Sequence, residues 1–424
     1  MRRRALFLAF LFLLPSFIAA QTVVSMKIDG NINPVAAQFI HRGIETARDQ
    51  NAQCLLIQLN TPGGLLKSTR MIVGDMLASP VPVVVYVAPD GARAGSAGVF
   101  ITLAAHIAAM SPGTNIGAAH PVGTQGQVDK VMDEKITNDA AAFIRTIAGN
   151  RKRNVEWAEE AVRKSISVTA NEALRNNVID LVAGNEQELL NRIDGRTIEM
   201  ASGTTTLHTK NVRVTSLEMS LGERILDVLS DPDMAYILLM LGLYGLLFEL
   251  YNPGAILPGV VGFISLILAF YSLQTLPVNY AGLALIIFAI ILFLLEIKIV
   301  SHGLLAIGGV VALFLGSMML IPANPSSPGL KISLSIIIIS TAVSALFFLF
   351  ILGMGLKAQR LKPVSGMEGL IGETGEARDD LFPFGTVWAH GEAWNAKSVS
   401  GKIGKGEKVR IVGIEGLQLQ VELI

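Results

Sequence analysis

Beyond Asp233 the chain carries five apolar stretches: Met234 to Tyr251, Ala255 to Leu273, Tyr280 to Glu296, Gly303 to Ile321 and Ile332 to Gly355. Each runs about 17 to 24 residues, the length that a hydrocarbon layer of about 30 Å asks of a helix. Inside lipid every backbone N–H and C=O must find its partner within the segment, so these stretches can only be helices. Composition agrees, with 51% hydrophobic and 16% charged residues over 424 positions, more apolar than a soluble domain. A transmembrane domain of five helices is expected over residues 231–356.

Two of these stretches echo one another. Gly254-Ala-Ile-Leu-Pro-Gly-Val-Val-Gly262 resembles Gly303-Leu-Leu-Ala-Ile-Gly-Gly-Val-Val311, and each follows an acidic residue, Glu249 or Glu296, at the end of the preceding span. Two similar helix pairs packed through small residues account for the echo. The two glutamates read as caps at helix ends near the interface in preference to a proton path. Charge sets the topology: Lys357-Ala-Gln-Arg-Leu-Lys362 is the densest positive cluster flanking a span, which puts the end of the fifth helix in the cytoplasm. Five crossings then leave residues 21–233 outside. The first twenty residues fit that orientation as an export signal, with Arg2-Arg3-Arg4, the apolar stretch Ala5 to Leu14, and Pro15 to Ala20 ahead of a cleavage site.

On either side of the spans the chain reads as soluble. Residues 21–230 alternate strands (Val23 to Ile28, Cys54 to Leu59, Val83 to Val87) with helices (Pro34 to Gln50, Leu66 to Leu77), the pattern of an α/β domain on a largely parallel sheet. The small-residue run Ala97 to Ala109 reads as a buried helix. Cys54, the single cysteine, lies in an apolar run and reads as a buried small hydrophobe. Residues 366–424 hold five short strand-like pieces, which suits a small all-β barrel of OB type with Trp388 and Trp394 in its core. A formal net charge of zero and few aromatics give no reason to expect nucleic acid as partner.

The chemistry concentrates in Gly91-Ala-Arg-Ala-Gly-Ser-Ala-Gly98, preceded by Thr61-Pro-Gly-Gly64. Ser96 stands between a turn and the expected helix, where free N–H groups and the helix dipole favour developing negative charge. The N–H groups of Ala97 and Gly64 are candidates to hold an oxyanion, with Gly63 and Gly64 allowing close backbone approach. A serine hydroxyl needs a base. His106 reads as an interior histidine, and His120 lacks an acidic partner placed to orient it. The serine also misses the hydrolase elbow pattern, because Ala94 stands where its first glycine belongs. A lysine removed from water can take the proton instead. Two qualify: Lys130, in the polar stretch Gly123 to Lys130 that reads as a surface loop, and Lys135, at the start of an amphipathic helix that would hold it better. Arg93, close to the serine, reads as facing solvent, with binding of a substrate carboxylate as the alternative. The segment from His120 to Glu134 reads as a loop that orders on substrate binding.

Thr61-Pro-Gly-Gly64, Ala94-Gly-Ser-Ala-Gly98, Ser111-Pro-Gly-Thr-Asn-Ile-Gly117 and Lys135-Ile-Thr-Asn-Asp139 together resemble, in order and spacing, the long-form NfeD proteins, membrane-anchored serine peptidases related to Clp protease and signal peptide peptidase A within the crotonase-like fold. The resemblance extends over nearly the whole chain. It implies a Ser-Lys dyad at Ser96 and Lys135, an oxyanion hole at Gly64 and Ala97, a stomatin-like membrane protein as substrate or partner, a homodimer, and no metal or cofactor. Two other classes stand beside this reading: a crotonase-type acyl-CoA enzyme, disfavoured by export away from the CoA pool, and a non-catalytic scaffold for a membrane partner.

Overall fold

The computed structural model describes residues 21–424 except 122–129, 202, 252–253, 275, 277, 300, 302, 322–330 and 361–366. The expected export signal therefore lies outside the described residues, as does most of the polar segment before Lys130.

Strand β1 (Thr22–Asp29) leads to helix α1 (Pro34–Asp49), which starts cleanly because the Asn33 side chain accepts the N–H of Ala36 and Pro34 supplies a helical φ at the first position. Then follow β2 (Leu55–Asn60), α2 (Leu66–Leu77), β3 (Val83–Val87), the short β4 (Arg93–Gly95), α3 (Ala97–Ala104), β5 (Ile107–Met110) and β6 (Asn115–Gly117). Helices α4 (Lys130–Asn150) and α5 (Val155–Arg163) precede β7 (Ser167–Thr169), α6 (Ala170–Arg175), β8 (Leu181–Val182), α7 (Glu186–Ile193), the hairpin β9 (Thr197–Met200) and β10 (Gly203–Thr206), and β11 (Arg213–Leu217). The main sheet runs β11-β1-β2-β3-β5-β8 with every pairing parallel. Every residue of β3 is buried, the mark of a strand covered by helices on both faces. On one face lie Leu55, Ile57, Val83 and Val85 under α1 to α5; on the other lie Cys54, Leu56 and Val84 under α7. A second small sheet, β4-β6-β7, brings β4 alongside β6 at the edge of this core.

The run Ala97 to Ala109 departs from the sequence reading. It is helical only to Ala104; Ala105 turns extended and Ile107 to Met110 enter the sheet beside β3. A short, uniformly apolar run carries no period that separates a buried helix from a buried strand. His106 makes the corner: its N–H donates to the Val83 carbonyl and its Nδ1 accepts the Val83 N–H at 3.1 Å.

Helix α8 (Leu221–Leu229) joins the α/β domain to five apolar helices: α9 (Pro232–Tyr251), α10 (Ile256–Gln274), α11 (Tyr280–Lys298), α12 (Leu304–Leu320) and α13 (Leu334–Arg360). By length and apolarity α9 and α10 suffice to cross a bilayer, and the apolar parts of the other three are shorter, among the described residues. Small residues seat the helices in pairs. A Cβ on Gly245 would fall 2.7 Å from Gly262 Cα between α9 and α10, and one on Gly316 would fall 2.9 Å from Gly282 O between α11 and α12. Glu296 Oε2 accepts the N–H of Ala306 in the first turn of α12 at 3.1 Å, a helix cap.

The C-terminal strands β12 (Thr374–Ala377), β13 (Phe384–Ala389), β14 (Glu392–Ser398), β15 (Lys408–Glu415) and β16 (Gln418–Leu423) close a barrel in the order β12-β13-β14-β16-β15. Val387, Ala396, Ile403, Val409, Ile411, Leu419 and Val421 fill it, with Trp394 packed against them. Trp388 corrects the sequence reading: it points outward, 42% exposed, under the Arg378 guanidinium 4.6 Å from its ring. Strand alternation sends Val387 and Ala389 inward, so the residue between them must face out.

Candidate active site

Ser96 caps α3 with φ 46° and ψ −106°, a backbone state that costs a side-chain-bearing residue about 1–3 kcal/mol and persists only where its surroundings enforce it. Those surroundings are identifiable. Ser96 N–H donates to Gly117 O at 3.1 Å, its carbonyl accepts Val99 N–H at 3.0 Å, and β4 before it is locked to β6. The Ser96 hydroxyl is partly exposed and makes no hydrogen bond among the described residues.

The Thr61 to Gly64 turn lies directly against it. A Cβ on Gly63, at φ 134°, would fall 2.7 Å from Ser96 Cβ and 3.2 Å from its Oγ. Thr61, fully buried, fixes this turn: its Oγ1 accepts the Gly63 N–H and donates to the Gly63 carbonyl, both at 3.0 Å. Ile32 clamps the other side, its N–H donating to Gly63 O and its carbonyl accepting Leu65 N–H, both at 2.8 Å. With the neighbouring N–H groups so committed, that of Gly64 remains without an acceptor among the described residues. Ala97 N–H, the first of α3, is likewise uncommitted, as helix geometry dictates. Among the described residues, then, the N–H groups next in the chain to Gly63 and to Ser96 have no acceptor, and the Ser96 hydroxyl beside Gly63 has no partner. Sequence reading picked out the glycines and missed Thr61 as their anchor; its one signal was a hydroxyl two residues before Gly63.

The histidines stand apart from this chemistry. Burial, with the nearby Arg151 and Arg153 charges, pushes His106 down to about 3, so its ring stays neutral at the sheet corner. His120 is turned by its Nδ1–H donating to the Val162 carbonyl at 2.8 Å, and no carboxylate among the described residues orients it. The Arg93 side chain is exposed and has no ion pair among the described residues, while its backbone N–H and carbonyl hold Asn60 and Thr61. Cys54 is sealed: burial first, then Glu186, pushes its thiol up to about 12.

Both lysines lie on α4. The helix begins at Lys130, so residues 130–134, read from the sequence as loop, form its first turn. That turn exposes Val131 and Met132, more than half open to solvent, and lacks the buried apolar face by which a helix announces itself. Lys135 is exposed and makes no hydrogen bond or ion pair among the described residues. Its helix is nonetheless tied to the site. Phe143 stacks on Phe100 of α3 at 5.8 Å, and Arg151, just beyond α4, donates to Ala104 O at the far end of α3 at 2.8 Å. These contacts run in the same order along both helices, so the Lys135 end of α4 and the Ser96 end of α3 lie on the same side. One turn beyond Lys135, Asp139 pairs with Arg70, itself only six residues after Gly64. Ser96, Gly64, Ala97 and the Lys135 turn thus share one end of the helical layer. Among the described residues no cluster of His, Cys, Asp or Glu is gathered as a metal would require.

Comparison with known proteins follows the same three-part organisation. Residues 22–215 match the NfeD1b N-terminal domain, 233–354 the NfeD integral membrane domain and 367–422 the NfeD-like C-terminal, partner-binding domain. The chain is 36% identical to Membrane-bound protease PH1510 of Pyrococcus horikoshii, covering 99% of this chain and 98% of that one. It is 29% identical to Membrane protein NfeD1b of Bacillus subtilis, over 95% and 93% of the two chains. Among solved structures it is similar to the 1510-N membrane protease specific for a stomatin homolog from Pyrococcus horikoshii, at 34% identity and a TM-score of 0.45 over 50% of this chain and 100% of that one. The chain belongs to the NfeD family of membrane proteins.

Proposed function

We propose that this chain is a membrane-bound serine endopeptidase that cleaves hydrophobic segments of membrane proteins. The observation that carries the reading is the Ser96 hydroxyl on a strained turn against Gly63, with no hydrogen-bond partner among the described residues for it or for the N–H groups of Gly64 and Ala97. Kinship to a relative named as a protease along nearly its whole length supports it.

In this mechanism Ser96 Oγ attacks the scissile carbonyl while Lys135 Nζ takes its proton. The carbonyl oxygen, now anionic, is held by Gly64 and Ala97 N–H, which are aimed before the charge appears. Collapse breaks the C–N bond as Lys135 returns the proton to the leaving amine, and a water, deprotonated by the same lysine, releases the acyl group from Ser96. Lys135 is exposed in the chain without substrate, and in this reading a bound peptide covers it.

The partner is a stomatin-like membrane protein, in keeping with the family resemblance and with a C-terminal domain of the partner-binding kind; membrane-protein quality control is the setting that this chemistry suits. Helices α9 to α13 cross the membrane five times, and the cluster Lys357 to Lys362 keeps the barrel in the cytoplasm and the protease domain outside. Two protease domains pair in a homodimer.

Hydrolysis of an apolar peptide by the full chain in nanodiscs tests the assignment. Ser96→Ala and Lys135→Ala each abolish cleavage, and Lys130→Ala retains it. Retention by Lys135→Ala with loss in Lys130→Ala moves the base one turn earlier; retention by Ser96→Ala removes the proposed nucleophile.

A further inference from the structure

The helix between the α/β domain and the first apolar span, α8, has two unlike sides. Leu221, Ile225 and Val228 are 79%, 61% and 51% exposed. At 100° per residue they fall within an arc of about 60°. The opposite side is fastened to the α/β domain. Glu223 receives a two-pronged bond from Arg42 of α1, Nε to Oε1 at 2.9 Å and Nη2 to Oε2 at 2.6 Å, and Asp227 Oδ1 accepts from Asn33 Nδ2 at 2.7 Å. Asn33 caps α1 and directly follows Ile32, the residue that clamps the Gly63-Gly64 turn. A capping box, Ser220 with Glu223, starts the helix, so its orientation is set at both ends.

What covers the apolar stripe follows from where α8 ends. Only Ser230 and Asp231 separate it from α9, whose first turn Asp231 caps, and the Leu229 carbonyl accepts the Ser272 hydroxyl from the last turn of α10. Beside Ser272 stands Tyr271, 48% exposed, an aromatic side chain at the end of a span, where such residues sit at the membrane–water interface. Beyond that level α9 and α10 present further exposed apolar side chains, among them Ile237, Leu241, Phe263 and Ile267. The stripe on α8 thus lies on a helix joined by two residues, and by the Leu229–Ser272 bond, to the ends of a helix pair that suffices to cross a bilayer.

We infer that α8 is an interfacial helix that lays Leu221, Ile225 and Val228 into the lipid surface and, through Asp227, Asn33 and Ile32, holds the Gly63-Gly64 turn at a fixed height above it. The ligand is the bilayer itself, taken up at the headgroup boundary by an amphipathic segment whose polar side is occupied by protein. Substrate segments emerging from the same bilayer meet Ser96 at that height. The inference rests on α9 entering the membrane at its N-terminal end.

The test uses the full chain in lipid nanodiscs. In a Cys54→Ala background, Ile225→Cys is labelled with an environment-sensitive fluorophore, and Glu156→Cys, at an exposed position of α5, serves as reference. Blue-shifted emission at position 225, strongly quenched by lipids carrying spin labels near the headgroup, with neither effect at position 156, is the expected result. Water-like, unquenched emission at 225 overturns the inference, and so does blue-shifted emission that spin-labelled lipid leaves untouched, which assigns the stripe to a second protein surface. These readouts do not depend on proteolysis, so they stand apart from the catalytic assignment. In a second arm, the triple variant Leu221→Ser, Ile225→Ser, Val228→Ser keeps its rate on a soluble peptide and cleaves a bilayer-anchored substrate about tenfold more slowly; equal rates on the anchored substrate contradict the positioning role.

Discussion

Gly63→Ala places the sharpest demand on the site geometry. The new methyl group would lie 2.7 Å from Ser96 Cβ, and ordinary contact begins at 3.4 Å, so the two must part by 0.7 Å. Neither side can give way freely. Gly63 is held by Thr61 Oγ1 and Ile32, and Ser96 by Gly117 O and by Gly95, whose own Cβ would meet Pro62 O at 2.8 Å. Alanine at φ 134° adds backbone strain of about 1–3 kcal/mol. A nucleophile displaced by most of an ångström costs about 10²-fold in rate. The expected outcome is a kcat reduced by about two orders of magnitude with a folded protein destabilised by about 2–4 kcal/mol. The control is Gly74→Ala in α2, where a Cβ meets nothing within 4 Å; it should leave kcat unchanged and stabilise the domain by about 0.5–1 kcal/mol. Peptide hydrolysis and thermal melting of both variants in nanodiscs decide. Wild-type kcat in a folded Gly63→Ala would refute the idea that this turn abuts the nucleophile.

Three further outcomes follow from the same structure. Arg153 is buried, with Nη1 bonded to the Leu103 and Ala105 carbonyls at 2.6 and 2.9 Å and Nη2 to Asp180 at 2.7 Å; Arg153→Met strands these acceptors and should cost about 3–5 kcal/mol in chemical denaturation. His106 is neutral when folded down to about pH 3 but takes up a proton below about 6.5 when unfolded, so stability is lost as pH falls through that window, by about 1.4 kcal/mol per unit. His106→Asn, which keeps an acceptor for Val83 N–H, should flatten the dependence between pH 6.5 and 4, and an unchanged slope would assign it to other groups. In the membrane helices, Gly316→Ala drives a methyl group to 2.9 Å from Gly282 O and Ile286 N, whereas Gly308→Ala meets nothing nearer than 3.5 Å; only the first should lower the melting temperature in detergent.

The sequence carried the large divisions well because each has its own period. Continuous apolar stretches, strands alternating with helices, and short strands broken by turns mark three different environments, and the helix boundaries Leu66 and Leu77 fall where the pattern put them. It failed where the period vanished. Ala97 to Ala109 is apolar throughout, and only the three-dimensional pairing of Ile107 to Met110 with β3 ends the helix at Ala104. The first turn of α4 was hidden because Val131 and Met132 are exposed. At the candidate site, Ser96 and the two glycines were legible, since a positive φ and a close approach both narrow the choice of residue. Which N–H groups remain unpaired was not legible. That depends on Thr61 Oγ1 satisfying Gly63 and on Ile32, from a distant loop, satisfying its neighbours.

The central claim, that Ser96 is a nucleophile flanked by two waiting donors, is tested most directly by trapping its acyl form. The full chain in nanodiscs is mixed with a peptide ester, quenched in acid within its first turnover, and mapped by mass spectrometry. An acyl group on the peptide containing Ser96, absent in Ser96→Ala and slow to form in Lys135→Ala, is the result this account predicts. Product release with no acyl group at Ser96, or an acyl group carried by another residue, would contradict it.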